Sequence, residues 1–97
     1  NTSKTSIIKS PLKSKKFRME FYEKNKKIKH TDFGAEGYSD FTKHKDNDRK
    51  KRYLKRHKKR ENWNSPTTAG ALSRWILWNK PTLSASFKHY KQKFNFK

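Results

Sequence analysis

The basic run Lys43–Arg60 limits what this chain can fold into more than any other stretch. Its sequence, KHKDNDRKKRYLKRHKKR, holds eleven Lys or Arg, two His and two acids in eighteen residues. A helix here could turn only Tyr53, Leu54 and His57 toward a core, so cations would cover most of its circumference. Like charges four residues apart destabilise an isolated helix. The run therefore predicts a helix that binds an acidic partner.

The composition predicts one small domain with a marginal core. The chain has 97 residues, a formal net charge of +19 and an apolar fraction of 29%, against roughly 45–50% in soluble globular domains. Low hydrophobicity with high net charge favours disorder, but three Trp, four Tyr and seven Phe can each bury a large apolar area. We expect a compact aromatic core with basic extensions. Because self-repulsion opposes compaction, such a chain needs counter-charges from a partner.

Several kinds of chemistry have no support in the sequence. The chain has no Cys, which excludes disulfides and thiolate metal ligands. Its four His are scattered and form no ligand pattern, and no apolar run approaches the roughly 20 residues of a transmembrane helix. Ser73 and Ser84 have no paired base and acid at a recognisable spacing. We therefore predict no catalytic residue, no metal site and no cofactor.

The N-terminal residues 1–16 are predicted to be an extended basic arm. They consist largely of Ser, Thr and Lys around the apolar pair Ile7–Ile8. Two interpretations stay open: a solvated tail, or an arm that lies along a partner and is anchored by Ile7, Ile8 and Leu12.

A β-hairpin is predicted over residues 17–33. Phe17, Met19 and Phe21 alternate with charged residues, which is the period of a half-buried strand. The sequence EKNKK then supplies a polar turn, in which Asn25 tolerates a positive φ better than most residues.

The remaining sequence predicts a loop over residues 34–45 and then helices. Gly34 and Gly37 interrupt the loop, and its aromatic residues Tyr38 and Phe41 are expected to anchor it to the core. Three helices are predicted, over about 46–60, 66–79 and 82–94. The predicted fold is thus a small single α+β domain over residues 17–97, in which the β-hairpin is followed by three helices, with the extended arm before it.

The starts of these helices carry capping residues. Asp46 or Asp48 can cap the first helix. Ser65 can cap the second, with Pro66 at its first position, and Thr82 can cap the third.

The predicted binding site is a set of cations along the first helix and at its ends, which would contact phosphates or carboxylates. Its members are Lys45, Arg49, Lys50, Arg52, Lys55, Arg56, Lys59 and Arg60. Trp63 and Trp78 follow this set, and their spacing leaves open whether they belong to the core or contact the partner.

Three segments, GAEGYSDFTKHKD, RKKRYLKRHKKRENWN and TAGALSRWILWNKPTL, resemble a small uncharacterised family of basic proteins. Its members are encoded mostly by large double-stranded DNA viruses, including those of algae and amoebae. The resemblance covers roughly Lys16–Phe94 and depends on GYSDFT, ENW and SRWxLWNKP. This chain departs from the family in its turn, where Asn25-Lys26 replaces the usual Asn-Gly, and in GALSRW, which lacks a bulkier residue before the serine. The resemblance implies a viral origin and a virion component, and it implies no enzyme.

Two functions fit these features. The first is a non-enzymatic virion structural protein, a small basic minor capsid or internal cementing component. It would occur in the virion and, during assembly, in the host cytoplasm or nucleus. Its partners would be capsid proteins of a larger assembly, or DNA or RNA. Contact with an anionic membrane surface stays open, and no small-molecule substrate is expected.

The alternative is a sequence-nonspecific DNA- or RNA-binding protein that acts through phosphate contacts. In that case Tyr38 or the tryptophans could stack on unpaired bases.

Overall fold

A computed structural model of the protein describes residues 3–96 and shows a three-stranded antiparallel sheet followed by short helices. The strands are β1 (Lys4–Lys9), β2 (Lys15–Glu23) and β3 (Lys26–Ala35), in the order β1-β2-β3. The helices are α1 (Phe41–His44), α2 (Asn47–His57), α3 (Ala69–Leu72) and α4 (Leu83–Lys93), and a π-helix (Ser73–Leu77) continues α3 directly. The protein is therefore a small α+β domain in which the strands precede the helices.

The predicted architecture of an extended arm over residues 1–16 and a two-stranded hairpin is wrong, because residues 4–9 of that arm form strand β1 and the sheet has three strands. The strand pairs with β2 along its length and places Ile7 opposite Met19. Ile7 packs against the core, whereas Ile8 points away from it and is 43% exposed. The other residues of β1 are polar, so its sequence shows no alternation, and the backbone ladder to β2 stabilises it. Residues 1–2 of the predicted arm lie outside the described residues.

Strands β2 and β3 form a hairpin that extends beyond the predicted 17–33 at both ends. Lys24 and Asn25 join the two strands, with φ values of 51° and 64°. Type I′ turns require a positive φ at both central residues. The resulting register places Phe17 opposite Phe33 on the face that carries the core.

The core lies between one face of the sheet and the helices of the second half. Its buried residues are Met19, Phe21, Phe33, Leu72, Ile76, Leu77 and Tyr90. The hydroxyl of Tyr90 donates a hydrogen bond of 2.7 Å to the carbonyl oxygen of Pro66, which satisfies the one polar atom of this buried ring.

The predicted loop over residues 34–45 contains an additional short helix, α1. Asp40 caps it, because the Asp40 carboxylate accepts a hydrogen bond of 2.9 Å from the backbone N–H of Thr42. Phe41 is buried, as an anchor of this loop would be, but Tyr38 is 72% exposed. The expectation that Tyr38 anchors the loop to the core is wrong.

The helix predicted over residues 66–79 is also different in the structure. The chain makes turns until Thr68, whose hydroxyl accepts a hydrogen bond of 3.2 Å from the N–H of Ala71 and caps α3. Pro66 therefore lies in a turn rather than at a helix start. After one turn of α3 the helix widens into the π-helix, so a single regular helix never forms here. The other two helices lie within their predicted ranges, with α2 inside 46–60 and α4 inside 82–94.

Candidate functional site

The start of α2 is fixed by Asp46. Its side chain accepts hydrogen bonds from the backbone N–H groups of Asp48, at 2.9 Å, and Arg49, at 3.3 Å. These bonds hold the pKa of Asp46 below its ordinary value, so the carboxylate stays ionised at the positive end of the helix dipole. The last turn contains Lys55, Arg56 and His57, which favour the negative end.

A stack of three rings attaches α2 to the rest of the domain. Tyr53 is the buried residue of the helix. Its ring lies 4.2 Å from the ring of Trp78 with an interplanar angle of 5°, and 4.2 Å from the ring of His57 with an angle of 25°. Burial raises the pKa of Tyr53 above its ordinary value, so the phenol stays neutral. Trp78, predicted as either a core or a contact residue, therefore has one ring face covered by Tyr53.

Lys50 makes a second attachment. Its ammonium Nζ donates a hydrogen bond of 2.7 Å to the carbonyl oxygen of Asn79 and lies 4.9 Å from the ring centre of Phe41. Burial lowers the pKa of Lys50. Lys50 belongs to the predicted binding set, but these contacts attach α2 to the rest of the domain.

A cleft of about 630 Å³ separates α2 from the end of the sheet and the π-helix. We call it the basic cleft. Its basic side chains are Lys15 and Lys16 from the start of β2, and Arg49, Arg52 and Arg56 from α2. The three arginines are spaced by three and four residues, so they share one face of the helix. The rings at the cleft are Tyr38, Tyr53, His57 and Trp78.

Three of the eight predicted cations thus line the cleft, and so does Trp78. Lys45, Lys55, Lys59 and Arg60 are exposed but are not among its lining residues. Lys45 ends α1 in the left-handed conformation, and its Nζ donates a hydrogen bond of 3.2 Å to the carbonyl oxygen of Thr42.

Trp63 takes part in a structural cluster rather than in the cleft. Its Nε1 donates a hydrogen bond of 2.9 Å to the Glu61 carboxylate, and its carbonyl oxygen accepts one of 2.8 Å from Nε1 of Trp75. The guanidinium of Arg74 lies 5.4 Å from the Trp63 ring and 4.2 Å from the Trp75 ring. Both predicted tryptophans therefore have structural contacts that their spacing does not reveal.

The sequence prediction misses Lys15 and Lys16, which lie more than thirty positions before Arg49. The only local signal is the basic stretch that ends in Lys15 and Lys16, next to the alternation that begins at Phe17. Lys16 is buried, and its Nζ lies 2.5 Å from Oδ2 of Asp40. Lys15 is half-buried and makes no ion pair among residues 3–96.

Four acids form ion pairs among residues 3–96, and none of these pairs includes an arginine of α2. Within residues 3–96 the ion pairs are Lys16–Asp40, Arg18–Asp32, Lys27–Glu20 and His57–Glu61. Glu61, the one acid that lines the basic cleft, accepts hydrogen bonds at both oxygens, from His57 and Trp63. The side chains of Arg49, Arg52 and Arg56 are exposed and take part in none of these pairs. The cleft can therefore bind an anionic group through charges that have no counter-ion in the described structure.

No group of three or more His, Asp or Glu side chains in residues 3–96 is arranged to hold a metal ion. Over the same residues, no helix has both the length and the apolar content needed to cross a membrane.

Comparison with known proteins identifies one family. The profile described as "Family of unknown function (DUF5754)" matches residues 5–57. The matched stretch runs from β1 to the end of α2, so it includes all the basic residues of the cleft. The resemblance implies an extent of roughly Lys16–Phe94, whereas the match begins before Lys16 and ends before Trp63. No curated protein and no solved structure matches the chain.

Proposed function

This chain belongs to that family of unknown function, and we propose that it is a non-enzymatic structural protein of a virus particle. It is a small basic minor capsid or internal cementing component, and it binds packaged nucleic acid or acidic protein surfaces through α2. The viral part is supported by the resemblance that GYSDFT and SRWILWNKP carry. The binding part is supported by the charges of α2.

The observation that carries the proposal is the row of unpaired cations on α2. No Lys or Arg of this helix takes part in an ion pair among residues 3–96. Lys51 and Lys55 are four residues apart, as are Arg52 and Arg56, and each such like-charged pair destabilises a helix by about 0.2–0.5 kcal/mol. A polyanion would remove this repulsion and release its own counter-ions. Its binding would therefore stabilise the helix that it contacts.

The charge part is tested by the salt dependence of binding to a short DNA duplex, measured by fluorescence anisotropy from about 50 to 200 mM salt. The triple variant R49Q/R52Q/R56Q should bind more weakly. The slope of log K against log salt should become shallower by about 2.7, because each lost phosphate contact removes about 0.9. The control K13Q/K26Q/K88Q removes the same charge from exposed positions outside α2. Equal losses in both variants, or no binding by the wild-type protein, would reject α2 as the interface.

The viral part is tested on purified particles of a virus that encodes this chain. Mass spectrometry should find the protein in the particle, and its absence would refute a structural role there. In an assembled structure, phosphates or partner carboxylates should lie within contact distance of Arg52 and Arg56. Solvent around both arginines would refute binding through α2.

One observation favours a second function, a sequence-nonspecific DNA- or RNA-binding protein. Tyr38 is 72% exposed at the basic cleft. An exposed aromatic ring beside cations is the combination that binds unpaired bases and phosphates. Both functions use the same helix, so the duplex experiment above applies to each.

A further inference from the structure

The basic cleft is too large for a bare phosphate ion alone. Its volume of about 630 Å³ lies within the roughly 300–1,000 Å³ of small-molecule and cofactor pockets. The walls come from α2, the end of the sheet and the π-helix, so the space is concave on three sides. A group with both a charged part and a flat apolar part would fill it.

The charges of the cleft are suited to consecutive phosphates. Arg49 and Arg56 are seven positions apart on α2, or about 10 Å at 1.5 Å per residue, and Arg52 lies between them. Arginine donates to phosphate oxygens through a planar fork. Lys15 adds a cation from the opposite wall. Because both oxygens of Glu61 are engaged by His57 and Trp63, the acid of the cleft has its own partners.

One ring of the cleft is available to stack on a base. The rings of Tyr53 and Trp78 are already parallel to each other at 4.2 Å. Tyr38, in contrast, is 72% exposed, and its ring contacts no other ring among residues 3–96. Tyr38 follows Gly37, whose φ of +88° places the backbone in a conformation that favours glycine.

We propose that the basic cleft binds a nucleotide unit of a single-stranded nucleic acid, with phosphates on the α2 arginines and the base on Tyr38. This inference deepens the proposed function and rests on it, since it names one class of polyanion. A duplex keeps its bases stacked inside and would contact the arginines of α2 without using Tyr38. An acidic peptide would use the arginines but would gain no stacking from the ring.

The experiment compares three probes on the full chain: oligothymidine, a DNA duplex and a poly-glutamate peptide, each labelled for fluorescence anisotropy. The variants are Tyr38→Ala, Tyr38→Phe and the control Tyr22→Phe, which lies on the sheet and outside the cleft. Tyr38→Ala should weaken oligothymidine binding by roughly 5- to 150-fold, the equivalent of stacking one base. Tyr38→Phe should restore it because the ring is kept, and Tyr22→Phe should bind as the wild type does. Duplex affinity should be the same in all variants.

The outcomes separate this inference from the proposed function. If Tyr38→Ala changes oligothymidine affinity by less than about twofold, the cleft inference is overturned. Salt-dependent duplex binding then still supports the proposed function. If poly-glutamate binds as tightly as oligothymidine and Tyr38→Ala has no effect on either, the cleft inference is again overturned and an acidic protein partner is favoured. If no probe binds, both proposals fail. Because the side chain of Tyr38 is exposed, we expect the variant to keep its fold, which circular dichroism checks.

Discussion

Removing Lys16 should destabilise the protein strongly, because it leaves a buried carboxylate without its counter-charge. The side chains of Lys16 and Asp40 are 6% and 3% exposed, and Nζ lies 2.5 Å from Oδ2. Asp40 also caps α1 through the N–H and the hydroxyl of Thr42. Breaking a buried pair by removing one partner costs about 3–5 kcal/mol. That is a large part of the roughly 5–15 kcal/mol that stabilises a domain.

The assay is urea unfolding of the variant Lys16→Met followed by tryptophan fluorescence. For a small protein the dependence of the unfolding free energy on urea is about 1–3 kcal/mol/M, so the midpoint should fall by at least about 1 M. The matched control is Lys27→Met. Lys27 pairs with Glu20 at 2.8 Å, but its side chain is 40% exposed, and such pairs contribute about 0–1 kcal/mol.

A double-mutant cycle separates the ion pair from other effects of Lys16. Asp40→Asn removes the charge of the carboxylate and keeps an oxygen that can cap α1. The double variant K16M/D40N should be more stable than K16M alone, with a coupling free energy of roughly 2–3 kcal/mol. A loss below about 1 kcal/mol for K16M, or a coupling near zero, would refute the reasoning. It would mean that Asp40 reaches water in solution.

Three further predictions concern single positions. Gly34→Ala should lower the free energy of unfolding in urea by about 1–3 kcal/mol, because φ is +79° and a Cβ atom would lie 2.8 Å from Cδ1 of Leu77. At Gly37 the space around a Cβ atom is open, so Gly37→Ala should cost only about 1 kcal/mol. Burial holds the pKa of His44 below its ordinary value of about 6.5, so the unfolded chain takes up the proton first as the pH falls. The free energy of unfolding should therefore decline below about pH 6.5, and His44→Phe should flatten that decline in urea titrations; an unchanged slope would contradict the burial argument. Thr82→Ala should lower stability by about 1 kcal/mol in thermal unfolding, since the Thr82 hydroxyl accepts a hydrogen bond of 3.1 Å in the first turn of α4.

The parts of the fold that sequence reasoning predicts well are those with local signals. The alternation of Phe17, Met19 and Phe21 marks β2, and Asn25 marks the turn after it. Asp46 marks the start of α2, where the structure has its cap. In each case the residues that decide the structure lie within a few positions of one another.

The parts that it misses depend on contacts between distant residues. Strand β1 has one inward apolar residue, Ile7, and its pairing with β2 is a property of the sheet rather than of the segment. The basic cleft likewise combines Lys15 from the start of β2 with the arginines of α2, which only the folded chain can do. The covering of Trp78 by Tyr53 cannot be read from helical spacing either, because the widened π-helix shifts the positions that follow Leu72.

The distribution of the few acids explains why one helix is left so basic. On the sheet, Arg18 donates two hydrogen bonds to Asp32. Its guanidinium holds the pKa of that carboxyl below its ordinary value, so this pair persists to low pH. The sheet therefore neutralises part of its own charge, whereas the arginines of α2 have no such partner among residues 3–96. Because a ligand that binds only the folded state stabilises it, a polyanion on α2 would add to the stability of the whole domain. The repulsion among the cations of α2 that a polyanion would remove is thus the link between the charge of this helix and the expected gain in stability.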